Sequence, residues 1–164
     1  MDIFKVSLIV STFFCSLVAG FLFAYAVVIM PGIKKLNAKA FIQTFQVTDL
    51  IIQNKQPLFM LIWLGSAVAI IVCAITGFSR LHGVDFYLLA CASVLYIVGV
   101  QISTAVINLP LNNKLQTLNV DSMDHAALAV ARKEFEPRWN TSNRIRTAIS
   151  GGVSLLLLIL LLRL

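Results

Sequence analysis

Apolar residues in this chain fall in long blocks, and four of the blocks can cross a bilayer, which takes roughly 20 residues of helix. The first covers about residues 4–29 and stops at Met30-Pro31-Gly32, where proline and glycine both interrupt a helix. The second, about 57–77, starts at Pro57, a favourable first-turn residue, and ends at Gly77. The third, about 84–108, begins near Val84 and ends at Asn108; the fourth, about 145–162, carries the run LLLLILLL. No block alternates with period two as a membrane barrel strand does, so the spans are predicted helices. The predicted fold is all-α: a single domain over residues 1–164, an up-down four-helix transmembrane bundle.

The segments between spans also carry a pattern. Ala38, Phe41, Ile42, Phe45 and Ile52 recur at helical spacing before the second span. Met123, Ala127, Val130, Ala131 and Phe135 do so more weakly before Trp139. Both read as amphipathic segments. Each either lies in the interface with its apolar face in lipid or packs over the bundle end as a cap.

Composition agrees with a membrane setting. The 164 residues are 59% hydrophobic and 12% charged, about half the charge of an ordinary soluble domain. Cys15, Cys73 and Cys91 each lie inside an apolar block at no metal-ligand spacing, and read as small buried hydrophobes. Ala69, Cys73 and Gly77 form a small-residue row suited to close helix contact. The first apolar run, Val6 to Met30, exceeds the roughly 7–15 residues of a signal-peptide core and reads as an uncleaved span.

Charge sets an orientation. The two long loops and the mouth of the fourth span hold ten basic residues: Lys34, Lys35, Lys39, Lys55, Lys114, Arg132, Lys133, Arg138, Arg144 and Arg146. The other side holds three, Lys5, Arg80 and Arg163. Basic loops stay inside, so both loops, with their amphipathic segments, are expected in the cytoplasm. The expected location is the bacterial inner (plasma) membrane with both termini outside. Asn140-Thr141-Ser142 would then be a chance glycosylation match. The net charge of +6 flanks spans and forms no solvated basic patch, so nucleic acid is not an expected partner.

Polar residues inside such a chain are the candidate chemistry. Gln101, Thr104, Asn108 and Asn112 follow at steps of three, four and four, one face of a helix. Facing lipid they would be costly, so they should face the bundle interior. Pro110 deprives the carbonyl of Val106 of its donor. The amides of Asn112 or Asn113 could serve it, which makes capping of a broken helix end the plain alternative. Gln46, Asp49 and Gln53 share a second face, and Trp139, Asn143 and Arg146 a third. Singly, Arg146 could snorkel to headgroups and Trp139 could belong to an interface belt. All three faces reach the same depth, and one pocket between the cytoplasmic ends of spans one, three and four would use them together.

At these residues the chain resembles the anthrone oxygenase-like family of small four-span membrane proteins. The matching stretches are GFLFAYAVVIMPGI (20–33), FIQTFQVTDLIIQNKQPLF (41–59), INLPLNN (107–113) and WNTSNRIRT (139–147). The resemblance implies a cofactor-free oxygenase that converts an anthrone to an anthraquinone. A carbon acid beside a ketone loses a proton, and the enolate reduces O₂ directly. On that reading Arg146 and Asn143 are the enolate donors, and Asn108 and Asn112 orient the ring oxygens. Thr104, Gln101, Gln46 and Trp139 line the pocket.

The base is the open question. His125 suits the task because a histidine titrates near neutrality, yet nothing ties its loop helix to the pocket. Asp49 is the other candidate; His82 belongs to the opposite membrane face. The alternative function is a non-catalytic module that binds a lipid or packs on a partner, which needs only donors and an apolar cavity. A small transporter is weaker, since no inverted repeat is visible. No metal set and no cofactor are expected. The expected partners are the bilayer and a lipophilic, aromatic or quinone-like small molecule. A homo-oligomer stays open.

Overall fold

The computed structural model describes residues 2–164, and the described residues form helices joined by short turns, with no strand. Five helices follow one another. We label them α1 (Ile3–Ile33), α2 (Ala38–Gln53), α3 (Pro57–Phe78), α4 (Gly83–Gln116) and α5 (His125–Arg163). All but α2 are long and apolar enough to cross a membrane. Four starts are fixed by side-chain caps. Asp2 accepts from the Phe4 N–H, Asn37 from Ala40, Gln56 from Phe59 and Asp124 from Ala127, each serving an N–H that the helix itself leaves unpaired.

The spans pack in a four-sided arrangement: α1 against α3 and α5, and α4 against α5 and α3. Toward the end that carries the termini, the core is Leu8, Cys15, Ile70, Cys73, Tyr96, Val153, Leu157 and Leu160. The small-residue row on α3 lets helices approach here. A Cβ on Gly77 would lie 2.5 Å from Leu89 Cδ2 and 2.8 Å from Phe4 Cε2. Large apolar side chains such as Phe13, Leu61, Ile75, Val94 and Leu155 remain on the outside, the face a bilayer solvates.

Three helices run further than the apolar blocks. The reading that ends span one near Ile29 and span three at Asn108 is corrected: α1 continues through Pro31 to Ile33, and α4 through Pro110 to Gln116. Just before each proline the backbone widens. The N–H of Met30 bonds to the carbonyl of Tyr25, and that of Leu109 to Thr104, five residues back rather than four. Such wide turns absorb the mismatch that a missing proline N–H creates, so the helix axis continues. The fourth span is likewise the second half of a 39-residue helix, α5, that passes through Pro137. Pro137 and Lys133, whose carbonyl loses its donor, are both exposed.

The amphipathic segments cap the bundle. On α2, Phe41, Ile42 and Phe45 are buried against Leu115, Phe135 and Trp139, making a second core at the loop end. Gln46 fastens α2 to α4, donating to the carbonyls of Leu115 (2.8 Å) and Leu118 (3.0 Å). Arg132 lies over the Phe41 ring at 4.4 Å and donates to the carbonyls of Lys34 and Leu36, which ties the α1–α2 turn to α5.

Candidate functional site

The three polar faces meet under α2. Asp49, 3% exposed, accepts at Oδ1 from Asn112 Nδ2 (2.7 Å). At Oδ2 it accepts from Gln53 Nε2 (2.7 Å) and Gln116 Nε2 (3.1 Å). Asn112 Oδ1 in turn accepts from Trp139 Nε1 at 2.8 Å. A carboxylate only accepts and an indole N–H only donates, so this amide has a single orientation. The chain Asp49–Asn112–Trp139 therefore links α2, α4 and α5. It also overturns the capping alternative for Asn112, whose amide goes to Asp49 and not to the Val106 carbonyl.

One to two turns further into the bundle lies Arg146, 3% exposed. Its Nη1 donates to Thr104 Oγ1 (2.6 Å) and its Nη2 to Asn143 Oδ1 (3.1 Å). Asn143 Nδ2 donates to the Leu22 carbonyl (3.1 Å), so its orientation too is fixed from both sides. No carboxylate lies within 4 Å of Arg146 among the described residues, and its Nε has no hydrogen-bond partner. Asn108, 2% exposed, accepts at Oδ1 from Ser142 (2.5 Å), and its Nδ2 also has no partner. A buried cation without a counter-ion is costly. Snorkelling does not account for it, because the guanidinium lies inside the protein.

These groups line a cavity of about 470 Å³, a size suited to a small organic ligand. Asp49, Thr104, Asn108, Asn112, Trp139, Asn143 and Arg146 are all on its wall. Five of the other wall residues are aromatic: Phe21, Tyr25, Phe45, Phe59 and Trp63. Phe21 stands 5.2 Å from Phe59, Phe59 stacks on Trp63 at 5.7 Å, and Trp139 sits 5.6 Å from Tyr25 and 5.4 Å from Phe45. The cavity therefore involves α2 and α3 as well as the three spans expected from the sequence.

Three expected residues lie elsewhere. Gln101 points toward α3, donating to the Trp63 carbonyl (3.3 Å), Ser66 (3.4 Å) and Tyr96 (3.4 Å). Gln46 is a fastener of α2, as described above. His125 is the exposed first residue of α5, about 20 Å along the helix from Trp139 at 1.5 Å per residue. Two residues that sequence reasoning missed are Gln116 and Ser142, which complete the bonds of Asp49 and Asn108.

Within this cluster every one of these acceptors has at least one donor. Asp49 has three donors, and Asn112, Asn143 and Asn108 each have one on Oδ1. Thr104 accepts from Arg146 and donates to the Val100 carbonyl (2.6 Å). What remains unspent is two donors, Arg146 Nε and Asn108 Nδ2.

Comparison with known proteins adds the family. No curated protein and no solved structure matches the chain. The family profile described as anthrone oxygenase matches residues 51–156, more than half of the chain. That stretch holds Thr104, Asn108, Asn112, Trp139, Asn143 and Arg146, with Asp49 two residues before it. A sequence match of that extent, on an all-helical fold with four apolar helices, makes the chain a member of the anthrone oxygenase family.

Proposed function

We propose that the protein is a membrane-embedded, cofactor-free oxygenase that takes a lipophilic aromatic ketone of the anthrone class into the α2-capped cavity. The observation that carries this reading is a buried cation with no carboxylate partner, Arg146, on the wall of a cavity that several aromatic side chains also line. The ring ketone is held by the Arg146 and Asn108 side chains, both on the cavity wall. Asp49 takes a proton from the methylene opposite the ketone, and the electron pair moves into the ring system as an enolate.

Fixed donors in a dry site stabilise that developing charge. The enolate carbon reduces O₂ and forms a C–O bond. Loss of the second methylene proton with cleavage of the O–O bond leaves a carbonyl and water. In sum, CH₂ and O₂ give C=O and H₂O, and the substrate supplies all four electrons.

The test is oxygen uptake by the purified protein in phospholipid nanodiscs with anthrone as the probe. The expected result is one O₂ consumed per anthraquinone formed, at a rate well above that in empty discs. A rate equal to empty discs would defeat the oxygenase reading. One observation favours the non-catalytic alternative: both Asp49 oxygens already accept amide N–H bonds, so proton uptake must displace one of them. On that alternative the anthrone binds and no oxygen is consumed.

The charge pattern supports a topology with the loop end in the cytoplasm and both termini outside, in the inner (plasma) membrane of a bacterium. At the terminal end Arg80 pairs with Asp2 and Arg163 with Asp85. At the loop end Lys34, Lys35, Arg138 and Arg144 have no carboxylate within 4 Å among the described residues. With the three native cysteines replaced by alanine, His82→Cys should react with an impermeant maleimide on intact cells. Asp121→Cys should react only after lysis. The reverse pattern would invert the topology.

A further inference from the structure

Lys55 stands in the turn between α2 and α3 with φ +58°, alone among the described non-glycine residues in having positive φ. The turn closes α2: the N–H of Asn54 bonds to the Leu50 carbonyl, that of Lys55 to Ile52, and that of Gln56 to Ile51. The bond that spans five residues, with a left-handed residue inside it, is the helix ending in which glycine is the usual occupant. A side chain there works against the backbone. Residues held in such conformations gather at binding sites.

Lys55 is also on the cavity wall, and it is exposed where Arg146 is buried. It therefore marks the mouth, as Arg146 marks the floor. No carboxylate lies within 4 Å of it among the described residues. Asp49 shares the same wall and is already held by three amides. The same wall also holds Phe21, Phe45, Phe59, Met60 and Trp63.

We infer that Lys55 is a second ligand-binding cation, and that the ligand is an aromatic ketone carrying a carboxylate at the end remote from its ring oxygen. This inference rests on the reading of the cavity given above and narrows it to acidic substrates. One cation is buried and the other exposed on the wall of the same cavity, which aromatic side chains also line. A rigid, planar molecule with an oxygen acceptor at one end and an anion at the other satisfies both at once. A neutral quinone would leave Lys55 idle in a conformation that glycine adopts without strain.

Both tryptophans of the chain, Trp63 and Trp139, line the cavity, so ligand binding can be read from fluorescence quenching. The probes are anthraquinone and anthraquinone-2-carboxylate, titrated in neutral detergent into wild type, Lys55→Gly, Lys55→Arg and Arg146→Met. The ratio between proteins cancels the unequal partitioning of the two quinones into micelles. Lys55→Gly relieves the backbone, so it should fold and melt no lower than wild type. It should bind the carboxylate about fivefold more weakly, the scale of a partly exposed ion pair. Its affinity for anthraquinone should not change, and Lys55→Arg should keep the preference.

Equal ratios in wild type and Lys55→Gly would overturn the inference, and that is also the result expected if Lys55 only meets a lipid phosphate. Binding of anthraquinone that depends on Arg146 would then leave the wider reading standing. If neither quinone quenched wild type, both would fall.

Discussion

Arg146→Met is expected to lower anthraquinone formation by about 10²–10³-fold, the usual cost of losing a preorganised donor to a developing oxyanion, with little change in folding. The two parts of that result come from the same geometry. Arg146 has no carboxylate partner, so its removal strands no buried anion. It does take a donor from Asn143 Oδ1 and from Thr104 Oγ1, each at a cost of about 1–3 kcal/mol. The burial penalty of an uncompensated charge disappears with it, and the two changes oppose each other.

Thermal unfolding in detergent should therefore differ little from wild type while oxygen uptake falls to the empty-disc rate. Arg146→Lys separates charge from shape. A lysine keeps a cation yet cannot hold Thr104, Asn143 and a ligand oxygen with one planar fork. Its activity should fall between wild type and Arg146→Met. Undiminished turnover in Arg146→Met would reduce the guanidinium to a tether between α4 and α5.

Much of this site could be read along the chain, and the parts that could not have physical reasons. Thr104, Asn108 and Asn112 share a helix face, as do Trp139, Asn143 and Arg146, because steps of three and four return to the same side of a helix. The stripe on α4 continues one step of four beyond Asn112, to Gln116 on Asp49. Reading Pro110 as a terminus hides that step. The wide turn at Thr104–Asn108 is what allows the helix to continue, and it is set by the local fit of backbone and neighbours, which no pattern of residue types reports.

Gln101 belongs to the same stripe by spacing and yet turns to Ser66 and Tyr96 on a different inter-helix seam. The aromatic wall was illegible for another reason. Phe21, Phe45, Phe59 and Trp63 come from three helices and meet only because α2 folds over the bundle. Its sequence left open whether α2 rests in lipid or caps the helices. The buried Phe41, Ile42 and Phe45 decide for the cap.

The role of Asp49 divides along two substitutions. Asp49→Leu removes the acceptor from Gln53, Asn112 and Gln116 together, in a site that is 3% exposed. Each stranded donor costs about 1–3 kcal/mol. Even with partial relaxation this variant should lose about 3–5 kcal/mol, the scale for breaking a buried charged cluster. The melting temperature should drop by about 10 °C.

Asp49→Asn is the discriminating change. It keeps one acceptor oxygen for Asn112, and the flexible Gln53 and Gln116 amides can turn their own oxygens toward the new NH₂ group. Asn112 then still faces Trp139 correctly, and the cavity wall survives. If Asp49 acts only through Asn112 and Trp139, this variant should retain both quinone binding and oxygen uptake. If Asp49 takes the substrate proton, quinone binding persists and turnover falls about 10²–10⁴-fold, the range for loss of a positioned general base.

The second outcome is the one expected from the proposed chemistry, because Asp49 is the one carboxylate on the cavity wall among the described residues. The first would move proton removal to solvent at the mouth beside Lys55. It would leave Arg146 and Asn108 to lower the barrier by stabilising the enolate alone.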